Sequence, residues 1–489
     1  MSTAGSGLRP ALGPRGREAL IVLGALPLLA LAGVAVASAG AGLGLGKLLF
    51  VLLALAGALA SLADIRVALG VLVLMLGFPL RTKLLFDLEL HTTHLLLAMV
   101  AAQVVAGLYF RRLVAPRGLV APVSLLLFGA VVASVAGPDP GGSLFRAGTG
   151  LLLPLLAGVG VALALDPRRD LRTLSLLVSA SLAGTSLLVL AQVAGRVPES
   201  IAPVFEADRV NGLFFHPNIL GGFLAAELVL LVGIASYGWQ RFSAAPLVFG
   251  APIFLGVAAL GVTLSRGALL GLAVGVLVVM ALLVAQRQAL AVVSVVFVVA
   301  VTLVLALPQV PESNRAAFAE RIGKVFRPGA ESGRTLIYRQ ARVTIGDYPL
   351  TGIGPLTFGQ TIRRDATVAG IEPGLLHAHN LLLETWLSVG PLGLMGLLWL
   401  LVGSARRMLR AAGAAAARAD PVAAGWAVGA LGSLASMLTH GQFDFLFWQP
   451  ELLTLFLVVL GSGYALARAP RNEDDPVGAD APTGPRTAR

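Results

Sequence analysis

The chain has 489 residues, 57% of them hydrophobic and only 12% charged, with a net charge of +11. Charge at a bilayer centre costs at least ~2.5 kcal/mol per group, so a chain this apolar is built for lipid rather than water. It has no cysteine, which excludes disulfides, thiolate catalysis and Cys-ligated metals; its surplus of cations points to lipid headgroups and phosphorylated substrates rather than nucleic acid.

In chain order, a short basic segment (1–18) precedes apolar runs at 19–38, 47–62, 67–80, 93–110, 119–136, 147–165, 173–195, 219–238, 246–264, 268–286, 289–308, 380–403, 421–440 and 451–468. Most are long enough to cross a ~30 Å hydrocarbon core as a helix. In lipid the backbone must satisfy its own hydrogen bonds, so these runs are predicted to be helical. They are continuous rather than alternating, which argues against a β-barrel. The first run lacks a small-residue cleavage site and reads as a retained span. The expected fold is all-α, a polytopic transmembrane bundle of about fourteen spans. The short run 67–80 keeps about twelve open, with one pair re-entrant or fused. The abundant glycine reads as close helix packing and broken helices.

Arg9, Arg15 and Arg17 precede the first run. Arg111, Arg112 and Arg117 share one short loop, Arg168, Arg169 and Arg172 another, and Arg406, Arg407, Arg410 and Arg418 a third. An even span count puts all of them on one side, which the positive-inside rule makes cytoplasmic. Both termini are then cytoplasmic. The tail 469–489, rich in Pro, Gly and charge, is expected to be disordered. The bundle divides into a first part (19–308) and a C-terminal part (379–468), separated by a large periplasmic loop (309–378).

That loop carries nine basic residues, from Arg315 to Arg364. Ser313 to Phe326 reads as an amphipathic helix lying at the interface, with Phe318, Ile322 and Val325 on one face. A second helix is predicted from Gly333 to Asp347, with Ser332 as N-cap and Tyr348-Pro349 as its stop. Arg334 falls in its first turn, where free N–H groups already favour an anion. Gly352-Ile353-Gly354-Pro355 turns the chain back to the membrane.

Ionisable residues near membrane depth are candidate functional groups by default. Arg266 sits in a very short turn between two apolar runs, placed either to snorkel or to grip a phosphate bidentately. Arg209 to Asn218 opens a span; His216 and Asn218 either cap it or, with Arg209 on a substrate anion, shape a site. His377-Ala378-His379-Asn380 stands where the loop re-enters the membrane. Histidines two apart share no helix face, which argues against a helical zinc pair. A neutral imidazole there is either a polar anchor or a base for a sugar hydroxyl. Asp444, just beyond His440, either caps a helix or orients a histidine or an arginine.

These residues resemble the O-antigen ligase family. His379-Asn380, nine residues, then Gly390-Pro391-Leu392-Gly393 is similar to its long motif. Thr263-Leu264-Ser265-Arg266-Gly267 resembles its Ser-Arg turn. Ser332-Gly333-Arg334 with Pro349-Leu350-Thr351-Gly352-Ile353-Gly354 resembles its loop pattern, and Arg209 to Asn218 its Arg-x-x-Gly…His-Pro-Asn stretch. The matches run in order over about residues 200–460. The resemblance implies a GT-C-like, lipid-carrier-dependent glycosyltransferase. Such an enzyme moves polysaccharide from undecaprenyl pyrophosphate to lipid A–core at the periplasmic face of the inner membrane. On that reading His379 is the general base, and Arg266 and Arg334 stabilise the pyrophosphate. Arg209, His216, Asn218, Asn380, His377, Asp444 and Arg339 line the substrates. No cofactor is expected, and without a dense carboxylate cluster no metal is.

An O-antigen polymerase or a protein O-oligosaccharyltransferase shares these features and differs in acceptor; the nine-residue spacing after His379-Asn380 favours the ligase. A transporter or lipid flippase also suits many spans, but the halves show no convincing repeat.

Overall fold

A computed structural model describes residues 64–79, 81–83, 89–198, 202, 209–238, 246–289, 291–293, 295–296, 333–364, 377–445 and 449–468. The runs at 19–38 and 47–62, most of 289–308, the helix expected at 313–326, Ser332 and the tail 469–489 lie outside them. The protein is a polytopic helical membrane protein. Eight described helices are long and apolar enough to span a bilayer, and three more are shorter apolar helices.

The helices are α1 (Ile65–Met75), α2 (Thr92–Tyr109), α3 (Arg117–Ala136), α4 (Pro140–Ala164), α5 (Pro167–Val193), α6 (Pro217–Gly238), α7 (Ala251–Val262) and α8 (Arg266–Ala285). After the loop region come α9 (Gly333–Asp347), α10 (Phe358–Arg364), α11 (Leu381–Ala417), α12 (Pro421–His440) and α13 (Pro450–Leu466). A two-stranded antiparallel hairpin, β1 (Arg81–Lys83) with β2 (Glu89–His91), joins α1 to α2 and adds the only strands among the described residues to a fold expected to be all-α. Two boundaries move outward for local reasons. The run expected at 147–165 starts at Pro140, because Asp139 accepts from the Gly142 N–H and caps the helix there. The run expected at 380–403 continues to Ala417 through Ala- and Arg-rich sequence, which favours helix beyond the lipid as well as within it.

The core is built on close contact between α6 and α12, α3 and α11, and α8 and α12. Gly233 faces Gly429, and Gly129 faces the backbone of Gly393, so closely that a side chain at Gly233, Gly429 or Gly129 would collide with backbone. Arginines close the far end of α4: Arg66 donates to Ala164 O (3.1 Å), and Arg468 Nη2 donates to Leu165 O (2.8 Å), just past it.

The motif glycines carry the architecture toward the site. Gly390, at φ 66°, breaks the helical path of α11 ahead of Pro391. That kink exposes Leu387 O, which accepts from the Ile353 N–H (2.7 Å). Gly352 (φ 72°) and Gly354 (φ 93°) take left-handed conformations that let the loop lie against it. A small apolar cluster of Ile337, Ala341, Ile353, Phe358, Ile362 and Leu387 then fixes α9 and α10 beside the start of α11.

Candidate active site

Five segments converge at one end of the bundle. The stretch before α6 brings Arg209 and His216, and the first turn of α6 brings Asn218; the turn between α7 and α8 brings Thr263 to Gly267. The loop ahead of α11 brings His377 and His379, the turn after α12 brings Asp444, and α9 lies beside them.

A continuous polar chain ties them together. Arg209 Nε donates to Thr263 O (3.0 Å), and its Nη2 donates to Asn218 Oδ1 (2.6 Å). Asn218 Nδ2 donates to Asp444 Oδ2 (2.9 Å). The other carboxylate oxygen of Asp444 lies 3.1 Å from His379 Nδ1 and also accepts from the Phe445 N–H (2.8 Å). Burial opposes the charge on Asp444, but the hydrogen bond with His379 and the surrounding imidazoles hold its carboxyl well below the usual range. An ionised Asp444 keeps the proton of His379 on Nδ1 and turns Nε2 into the acceptor. The His379 side chain is 26% exposed and that of Asp444 8%, so the imidazole is open to a substrate and the carboxylate is not.

The backbone at His379 is itself constrained, with φ 48°, and Leu264 beside the Arg266 turn has φ 52°. A left-handed non-glycine residue costs about 1–3 kcal/mol and persists only where its surroundings over-determine it. Tyr338 Oη, 3.2 Å from both His379 O and Gln442 O, provides part of that constraint; burial raises its pKa and keeps it a donor. Glu384 provides more, accepting from the Ala378 N–H (2.7 Å) between the two histidines and from Ser388 Oγ (3.1 Å). The His377 ring packs at a tilt against His379, their centroids 4.2 Å apart. Burial, and then the His379 charge, push its pKa down to about 3, so it is neutral.

The cations occupy two different settings. Arg209, expected to meet a substrate anion, is 6% exposed and bonded to Thr263 O and Asn218, which places it within the framework of the site. Arg266 is exposed at the start of α8, next to Gly267, whose backbone packs on the buried His440. Arg334 is half-buried in the first turn of α9, close enough for its charge to act on His377 and Tyr338. His216 accepts from the Asn218 N–H (3.0 Å) and so caps α6. Asn380 caps α11 through bonds from the Leu382 and Leu383 N–H groups (3.0 and 3.1 Å), while its Nδ2 points to Gln442 O. Arg339 is exposed, one residue from Tyr338 and therefore about 100° round the helix from it.

The histidines that share no helix face do share a site, because they lie on a loop. The ligand atoms of His377, His379 and Asp444 are within 4.8 Å of one another, a spacing able to hold a metal ion. The argument from helical spacing against a metal there does not apply to this geometry. Sequence reasoning passed over Tyr338 and Glu384. Glu384, an acidic residue five positions after His379 in an apolar run, was the signal available.

Fold and site together define a multi-pass membrane protein with a histidine–carboxylate pair and cations gathered at one end. The sequence model of the O-antigen ligase family matches residues 251–398, from α7 through the Arg266 turn and α9 to the His379 motif and the kink of α11. The match covers less than a third of the chain and supports a likeness to the O-antigen ligase family. That family comprises membrane enzymes of the ligase and polymerase type, whose substrates are polysaccharide and lipid-linked sugars, and the match supports an enzyme of that general kind. No curated protein matches the chain significantly.

Proposed function

We propose that the chain is an O-antigen ligase, transferring polysaccharide from undecaprenyl pyrophosphate to lipid A–core at the periplasmic face of the bacterial inner membrane. The observation that carries this reading is the Asp444–His379 pair, open at Nε2, with Arg266 and Arg334 at the same end of the bundle. His379 Nε2 takes the proton of an acceptor sugar hydroxyl. The freed oxygen bonds to the anomeric carbon of the donor as the bond from that carbon to the pyrophosphate oxygen breaks. The carrier leaves as undecaprenyl pyrophosphate, and the charge growing on it meets Arg266 and Arg334. Fixed guanidinium groups favour the transition state because the charge they meet is larger there than in the bound donor. Arg209 supports the pair through Asn218 rather than meeting the substrate. The energy for transfer is stored in the donor linkage, so the reaction needs no nucleotide, and in this mechanism Arg266 and Arg334 take the charge-stabilising part that a metal ion plays elsewhere.

The test is transfer in vitro. Purified chain is mixed with polysaccharide-loaded carrier and lipid A–core, with chelator and no nucleotide, and the product is identified by mass spectrometry. Polysaccharide joined to the core sugar supports the ligase. Polysaccharide joined to a second carrier-linked chain makes the protein a polymerase. Activity abolished by chelator and restored by a divalent ion moves the His377–His379–Asp444 group from base catalysis to metal binding.

A further inference from the structure

The end of the bundle away from the site holds a second set of cations. α12 has 20 residues, from Pro421 to His440, and so separates its two ends by about 30 Å. His440 is at the site end. At the other end is a cavity of about 480 Å³ lined by Arg406, Arg407, Arg410 and Arg418, with Trp399 and Val402 at its apolar side.

Three observations make this more than a basic loop. First, among the described residues none of these four arginines forms an ion pair with a carboxylate, whereas Arg66, Arg146 and Arg169 each do. Secondly, the cavity is built: Arg407 donates to Gly403 O (2.9 Å) and lies 4.1 Å over the Tyr464 ring, while Tyr464 Oη donates to Gly118 O (3.2 Å). Thirdly, exposed Met395, Leu398, Trp399 and Val402 recur at helical spacing along α11 and lead straight into the arginines. One helix face thus passes from apolar to cationic, with a tryptophan just before the change, as at a membrane interface. A preference for cations on one membrane side accounts for the arginines but not for their arrangement around one cavity below an apolar track.

We infer that this cavity binds the phosphate of an anionic phospholipid from the leaflet opposite the candidate active site, with an acyl chain along Trp399, Val402 and Leu398. The apolar track favours an amphipathic anion over free phosphate, and over the acidic stretch Glu473-Asp474-Asp475 of the chain's own tail.

The full chain in detergent is titrated with phosphatidylglycerol, phosphatidylcholine and inorganic phosphate in turn, and bound ligand is counted by native mass spectrometry. Phosphatidylglycerol is expected to bind about tenfold more tightly than phosphatidylcholine and to resist displacement by phosphate. Arg406→Gln/Arg410→Gln, which leaves the packed Arg407 in place, is expected to remove that preference. Trp399→Ala is expected to weaken phosphatidylglycerol binding with the arginines intact. Equal binding of the two lipids, or a preference untouched by these substitutions, overturns the proposal. So does phosphate binding as tightly as the lipid, or a preference that appears only when residues 469–489 are deleted.

Discussion

The two ends of α12 treat charge in opposite ways. At the site end, Arg209, Asn218, Asp444 and His379 form one hydrogen-bonded chain, and its buried members are partnered. At the other end four arginines line a cavity with no carboxylate partner among the described residues. Burying a charge is tolerable only when it is paired and hydrogen-bonded, so the site end spends Arg209 and Asp444 on geometry. Exposed arginines carry no such requirement: Arg407 packs against Gly403 O and Tyr464, while exposed Arg406 and Arg410 pair with no carboxylate among the described residues. The number of cations is therefore a poor guide to where an anion binds; their partners decide it.

Substitutions can break this contrast in order of expected effect. On the proposed mechanism His379→Ala removes the proton acceptor and should lower the transfer rate by about 10²–10⁴, with substrate binding largely kept. Arg334→Ala should lower it by about 10²–10³, corresponding to ~3 kcal/mol of lost stabilisation, and Arg266→Ala by a similar amount. Both are read as initial rates at saturating donor. Glu384→Ala leaves the Ala378 N–H buried without its acceptor, at about 1–3 kcal/mol, and loosens the loop that carries both histidines. Thermal melting and transfer should both fall, and Glu384→Gln, whose carbonyl can still accept, should recover most of each. Arg406→Gln/Arg410→Gln, at the far end, should change the transfer rate less than any of these.

Much of this was legible in the sequence, though not the packing that holds each residue in place. The limits of α9 follow from a cap, a periodic stretch and a Pro stop, and the structure places the helix at Gly333–Asp347. The spacing from His379 to Gly390 and Gly393 was visible as a pattern, but its physical meaning appears only in three dimensions. Gly390 takes a left-handed bend that Thr351 packs against, and Gly393 has no side chain to meet Val389 where its backbone lies against Gly129 of α3. The buried, framework position of Arg209 was hidden, because its acceptor Thr263 O is a backbone atom 54 residues away. Tyr338 was hidden for the same reason, since its hydroxyl reaches carbonyls of His379 and Gln442. Side chains that bond to distant backbone leave no signature of spacing between residue types.

The central claim is that Asp444 acts through His379. A double-mutant cycle on the transfer rate of the purified chain tests it most directly, with His379→Ala, Asp444→Asn and the two combined. The account predicts that Asp444→Asn slows the wild-type enzyme strongly but has almost no further effect once His379 is alanine. If the two losses multiply instead, the carboxylate and the imidazole work independently, and the pair described above is not the catalytic unit.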